Sequence, residues 1–182
     1  MRELFDDLVA ALADQHRLGA LGTSAAEAVA HSDLFLAALP QAGRVLDLGS
    51  GAGVPGLIVA VRRPSLHVTL LDARSRRTDQ LARIVHRLGI ADRVEVVCAR
   101  AEVAARRADL VGSFVAVTAR AFGGPVAVLA ASRPFLLVGG RLVVSEPPGG
   151  AARWPIDQLV RSRFRRLAAE EIPLGFFVAE AV

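Results

Sequence analysis

The segment Asp47-Leu-Gly-Ser-Gly-Ala-Gly-Val-Pro-Gly56 constrains this chain more than any other, because it follows directly on an apolar run that reads as a buried strand. Glycines at 49, 51 and 53 permit a tight turn and let a ligand approach bare backbone. From there strand and helix patterns alternate. Residues 67–71 predict a strand, after which Leu81, Ile84, Val85 and Leu88 fall at i, i+3, i+4 and i+7 of a helix. Residues 94–98 predict a strand, 101–107 a short helix, 114–118 a strand, 125–132 a helix, 141–145 a strand and 155–163 a helix. The segments 166–174 and 176–182 read as two strands turning at Gly175, a hairpin expected to add one antiparallel strand. Ahead of the loop, Leu4, Leu8 and Leu12 lie four apart, predicting an amphipathic helix over 2–14, and a second helix is predicted over 24–38.

Near-continuous apolar strands alternating with helices imply a mostly parallel sheet covered on both faces. The expected fold is therefore α/β and Rossmann-like: a single domain with an N-terminal helical cap over 1–40 and a ligand-binding core over 41–182. Ligands in such sheets bind beyond the carboxyl ends of the strands, at the switch in strand order.

The length of 182 residues, 53% hydrophobic and 22% charged, suits one globular domain. The longest stretch without a charged side chain, 48–61, is too short and glycine-broken to span a bilayer. Acids near the start disfavour a secretion signal, and a single cysteine, Cys98, excludes a disulfide framework or a cysteine zinc cluster. A cytoplasmic protein is expected. All 22 basic residues are arginine, with lysine, asparagine and tyrosine absent together, a pattern of base composition more than of phosphate binding.

The loop has more than one reading. Gly51-Ala-Gly-Val-Pro-Gly matches the dinucleotide pattern GxGxxG, a weak signal alone. Asp47 at the strand end would repel a pyrophosphate, so a cationic, phosphate-free nucleoside such as S-adenosylmethionine suits the loop better. The bland alternative is a turn that needs glycines for geometry only. Asp72, ending the second strand, can accept hydrogen bonds from both ribose hydroxyls or cap the following helix. Glu102, after the third strand, lies where an adenine is expected, or is a first-turn helix acid. Arg120, ending the fourth strand, belongs to the site or pairs with Asp47 or Asp72.

Asp47 to Gly56, then Leu70-Leu-Asp-Ala-Arg-Ser-Arg-Arg77, Ala99-Arg-Ala-Glu102 and Thr118-Ala-Arg-Ala121, resemble the glucose-inhibited division protein B family over roughly 31–182. The resemblance implies a class I S-adenosylmethionine methyltransferase fold and methylation of guanine N7 in small-subunit (16S) ribosomal RNA. It implies cofactor contacts at Gly49 and Val54, at Ala101 and Glu102, and at Arg120, within a loop that also includes Asp47, Gly51 and Gly53. Asp72 would hold the ribose, as in methyltransferases of this fold generally, and Arg120 would also stand where methyl donor and acceptor meet. Ribosomal RNA or the small subunit is the expected partner.

Two departures stand out. The family's aromatic and Asn-Leu-Thr segment has no counterpart before His31, and the family's Lys-Gly after the fifth strand is Ser145-Glu-Pro-Pro148. That reversal of charge predicts weak activity on guanine N7, restored RNA affinity in Glu146→Lys, and an anion facing the RNA. Guanine N7 carries a free lone pair, so the lack of a catalytic base pattern does not count against the reaction. Cys98 reads as a small core thiol and Trp154 as packing at a helix start. The clusters at Arg74, Arg76 and Arg77, at Arg106 and Arg107, and at 161–166 read as solvated faces before RNA contacts.

Overall fold

The computed structural model describes residues 2–147, 153–168, 172 and 175–182. Its helices are α1 (Arg2–Arg17), α2 (Ala25–Ala38), α3 (Gly56–Arg62), α4 (Ser75–Arg87), α5 (Ala101–Ala104), α6 (Pro125–Ser132) and α7 (Ile156–Arg161). The strands are β1 (Gly43–Leu48), β2 (Leu66–Asp72), β3 (Val94–Cys98), β4 (Phe114–Ala119), β5 (Leu136–Ser145), β6 (Phe164–Arg166) and β7 (Phe176–Ala181). They form one sheet in the order β3-β2-β1-β4-β5-β7-β6, parallel through β5 and antiparallel at β7.

The terminal hairpin adds two strands where one was expected. β7 inserts beside β5, and the three-residue β6 forms the edge, starting before the predicted 166–174. Residues 169–171, 173 and 174 of that predicted strand lie outside the described residues. β5 begins five residues earlier than expected, because Leu137 and Val138 are exposed and glycines 139 and 140 interrupt the apolar pattern there.

Strand alternation sends side chains to two separate cores. Val45, Val68, Ala116, Val143 and Val178 face α1 to α4, while Leu46, Leu71, Val117, Leu142 and Phe177 face α5 to α7. Residues 56–61 of α3 are all buried, since α1 and α2 cover the side of the helix turned away from the sheet. The Arg63 guanidinium fixes that cap by donating to the carbonyls of Leu36, Leu39 and Pro40, each at 2.9 Å, acceptors left free at the end of α2. At the other end of α2, Ser24 and Glu27 form a capping box. Strand order reverses between β1 and β4, and the glycine loop sits at that switch point.

Candidate functional site

The loop is shaped by glycines in the left-handed region, with φ of 74° at Gly49, 55° at Gly51 and 91° at Gly53. Its frame is Asp47. This carboxylate, 1% exposed, accepts a hydrogen bond from Thr118 Oγ1 at 2.8 Å and from the Gly56 amide at 3.1 Å. Burial raises its pKa from 3.8 to about 6, against the hydrogen bonds from Thr118, Gly56 and Ser50 and the charge of Arg120. Asp47 therefore fastens β1 to β4 and to the start of α3. It faces α3, away from the ligand cavity, so the argument that its charge selects a cationic ligand does not hold.

A cavity of about 660 Å³ opens at the carboxyl ends of β1, β2 and β3, between them and α5 and α6. Four of the residues singled out from sequence, Gly49, Asp72, Ala101 and Glu102, line it. Asp47, Gly51, Gly53, Val54 and Arg120 are not on its lining. Gly51 still touches the site through Asp72, whose Oδ2 accepts the Gly51 amide at 3.0 Å. Oδ1 of Asp72 accepts the Arg74 amide at 2.9 Å and Arg74 Nε at 3.2 Å. Burial alone would push the Asp72 carboxyl up, but the hydrogen bonds from Arg74 and Gly51 outweigh it and hold the pKa below 3.8. Asp72 is thus an anion on the cavity wall. The cap of α4 is Arg74, with no side-chain cap bond, so the helix-cap reading of Asp72 is not what the structure shows.

Arg120 lies on the opposite side of β4 from the cavity, in the field of Asp47 and near His31. Among the described residues it forms no hydrogen bond or ion pair, so the expected pairing with Asp47 is a longer-range attraction and pairing with Asp72 is absent. Burial lowers its pKa against the pull of Asp47. His31 stacks on Phe176 with ring centroids 5.4 Å apart, and its Nε2 is buried without a partner among the described residues. Burial, and then Arg120, hold the imidazole pKa below 6.5.

Phe122 is a cavity residue that no sequence pattern singled out, and Arg74, read from sequence as part of a solvated basic cluster, lines the cavity as well. Ala121 turns the chain with φ 51°, and the Cδ2 edge of the Phe122 ring then lies against Gly49. A left-handed alanine leaves no compositional mark, whereas a left-handed glycine does.

Glu146 corrects a firmer expectation. Its side chain is 5% exposed and paired with Arg153 at 3.4 Å, so it points inward and presents no anion to RNA. Burial raises its carboxyl above the usual range despite Arg153. Pro148, the other part of that departure, lies outside the described residues. Trp154 is buried and stacks on Phe177 with centroids 3.9 Å apart, as packing at a helix start requires. Cys98 is exposed, contrary to expectation, because β3 is the outer strand of the sheet.

The arginine clusters are largely engaged within the chain. Arg77 donates to the Ala20 carbonyl, Arg107 pairs with Glu95 and Asp109, Arg165 with Glu180, and Arg166 lies over the Phe177 ring. Among the described residues no group of three acids, cysteines or histidines is placed to hold a metal, and no helix is long and apolar enough to cross a membrane.

This sheet order, with a glycine turn after β1 and a carboxylate ending β2, is the class I S-adenosylmethionine methyltransferase fold. The crystal structure of geranyl diphosphate C-methyltransferase from Streptomyces coelicolor A3(2), which holds Mg²⁺, geranyl diphosphate and S-adenosyl-L-homocysteine, shares it at a TM-score of 0.63 and 16% identity, over 84% of this chain and 79% of that one. Residues 28–146 match the family described as rRNA small subunit methyltransferase G (GidB), and the chain belongs to that family. Ribosomal RNA small subunit methyltransferase G of Moorella thermoacetica is 36% identical over 118 residues, 64% of this chain and 49% of the relative. The protein of the same name from Leifsonia xyli subsp. xyli is 38% identical over 150 residues, 81% and 68%. The chain spans about half the length of most of the curated relatives it matches.

Proposed function

We propose that this protein is an S-adenosylmethionine-dependent methyltransferase of the cytoplasm whose acceptor is guanine N7 in small-subunit ribosomal RNA. The observation that carries the reading is the cavity at the switch point, where Gly49, Asp72, Ala101 and Glu102 converge in a chain of this family. Its donor set fits an adenosyl cofactor. The anionic Asp72 offers lone pairs to two ribose hydroxyls once the Arg74 side chain, 66% exposed, swings outward. Gly49 lines the cavity without a side chain, and Ala101 and Glu102 open α5 just after β3, where a purine edge needs partners. When bound, S-adenosylmethionine supplies an activated methyl group.

The residues of the chain then have positioning work only. Guanine N7 is a lone pair that needs no deprotonation, so orientation of the acceptor is the main demand. In this reading Arg120, at the end of β4 and off the cavity lining, meets the acceptor RNA outside the cavity, and residues 1–182 act as one methyltransferase domain with 1–40 as its cap. The test is methyl incorporation from labelled S-adenosylmethionine into small subunits and bare ribosomal RNA, followed by chemical cleavage at N7-methylguanine. Label in RNA with no cleavage at N7 refutes the acceptor atom, and no label in any RNA refutes the activity.

A further inference from the structure

We infer that the Phe122 ring is the stacking platform for the acceptor base, an inference that rests on the methyltransferase reading above. Among the described residues Phe122 is the one aromatic on the lining of the cavity, whose other apolar side chains are Leu48, Leu71, Pro134 and alanines. It is 36% exposed, unlike the phenylalanines that build the core, so part of its ring is open to solvent. The edge of the ring meets the loop: a β-carbon at Gly49 would stand 2.7 Å from Phe122 Cδ2 and farther from Cε2 and Cγ, which leaves the ring faces off the glycine. Gly49 therefore serves the ring as well as the turn.

The backbone supports the same assignment. Ala121 adopts φ 51°, a region that a residue with a β-carbon occupies only when its surroundings enforce it, and such residues cluster at ligand sites. The turn follows the end of β4 at Ala119 and places Phe122 on the cavity lining, its edge against the first glycine of the loop. A purine base lifted out of its RNA stack loses its neighbours' faces, and an exposed ring replaces them. Phe122 offers no hydrogen-bonding atom, so it holds the plane of the base and leaves N7 free. Selection of guanine over other bases falls to other groups.

The experiment compares Phe122→Ala, Phe122→Leu and Phe122→Trp with the unaltered protein. S-adenosylhomocysteine and S-adenosylmethionine affinities are measured by calorimetry, and KM for RNA and kcat by methyl incorporation. The expected result is a KM for RNA raised about 10- to 100-fold in Phe122→Ala, the size of one lost base–aromatic stack. Phe122→Leu remains impaired, Phe122→Trp recovers, and both cofactor affinities stay unchanged. Loss of S-adenosylmethionine affinity with S-adenosylhomocysteine unaffected would assign the ring to the sulfonium and overturn the platform. Equal activity in Phe122→Leu and the unaltered protein would also overturn it, leaving the ring a filler of space. If the unaltered protein binds S-adenosylhomocysteine but methylates no RNA, the reading of function fails first and the platform falls with it.

Discussion

Asp47 Oδ2 accepts the Gly56 amide at 3.1 Å, and this bond joins the carboxyl end of β1 to the first turn of α3 on the far side of the glycine loop. Gly56 is required for it. A β-carbon there would meet the Leu70 side chain and stand 2.7 Å from Asp47 Oδ2 and 2.9 Å from Asp47 Cβ, all in fully buried surroundings. Gly56→Ala is expected to lower stability by about 1–3 kcal/mol through overpacking. Urea unfolding gives the loss as a lower midpoint at unchanged slope.

The same carboxylate makes stability depend on pH. Its folded pKa of about 6 stands above the ordinary 3.8, with burial the largest cause. A raised acid contributes its stability below the unfolded value, and that contribution is lost as pH rises through about 6. Asp47→Asn removes the titration while keeping the shape: the amide oxygen accepts from Gly56 and the amide nitrogen donates to Thr118 Oγ1. The variant is expected to gain on the unaltered protein from pH 4 upward, by about 3 kcal/mol at pH 7. Denaturant melts at pH 4, 5, 6 and 7 measure the difference, and a constant gap across the series would place the ionised form in the fold without penalty.

The strands, the glycine loop and the order of the helices were legible because each rests on a local period or on glycine's backbone freedom. Asp72 and Glu102 were legible as cavity residues because they end strands whose carboxyl ends face one way in a parallel sheet. What sequence could not assign was which side of the sheet a strand-end residue faces. Asp47 and Arg120 point to the α3 side, and a one-residue change in alternation reverses that. Glu146 read as a surface charge because its partner, Arg153, lies seven residues on, and no period connects them. Cys98 was misplaced for a related reason: apolar strands look alike whether inner or outer, and only the strand order makes β3 an edge.

Asp72 and Arg74 give a paired test of the ribose contact. Asp72→Ala is expected to weaken S-adenosylhomocysteine by about 1.5–3 kcal/mol, the range for lost charge-assisted hydrogen bonds. Arg74→Ala removes the guanidinium from Oδ1 and Oδ2 while the backbone amide stays on Oδ1, and it is expected to leave affinity equal or tighter, since the side chain competes for the carboxylate. Titration calorimetry on both variants decides. A loss in Arg74→Ala as large as that in Asp72→Ala would make the ion pair itself part of the site.

Glu146→Lys changes character in light of the ion pair with Arg153. A lysine would bring a second cation against Arg153 in a slot where the carboxylate is only 5% exposed. Arg153 is itself exposed, so solvent screens the like charges and the expected cost is about 1–2 kcal/mol, between that of a surface pair and a buried one. RNA affinity is expected to stay unchanged at temperatures where the variant is folded. Thermal melts and filter binding measure the two effects, and tighter RNA binding at unchanged stability would return Glu146 to the surface role first read for it.

Arg120 also acts on His31 on the α3 side. Burial, and then the positive charge of Arg120, hold the His31 imidazole below 6.5, while its Nε2 lacks a partner among the described residues. Arg120→Ala removes a repelling cation, so the imidazole pKa is expected to rise toward 6.5 without reaching it, because the burial remains. Proton NMR of the His31 ring across pH 4.5–8 reads the shift directly. The same substitution withdraws positive charge from Asp47, whose pKa is expected to move further above 6. If Arg120 orients the acceptor, kcat falls by at least an order of magnitude while S-adenosylhomocysteine affinity holds, in keeping with its place off the cavity lining. A parallel fall in both would show that the side chain reaches around β4 to the cofactor, as the family resemblance implies. An unchanged kcat with a shifted His31 pKa would leave Arg120 a counter-charge to Asp47 and nothing more.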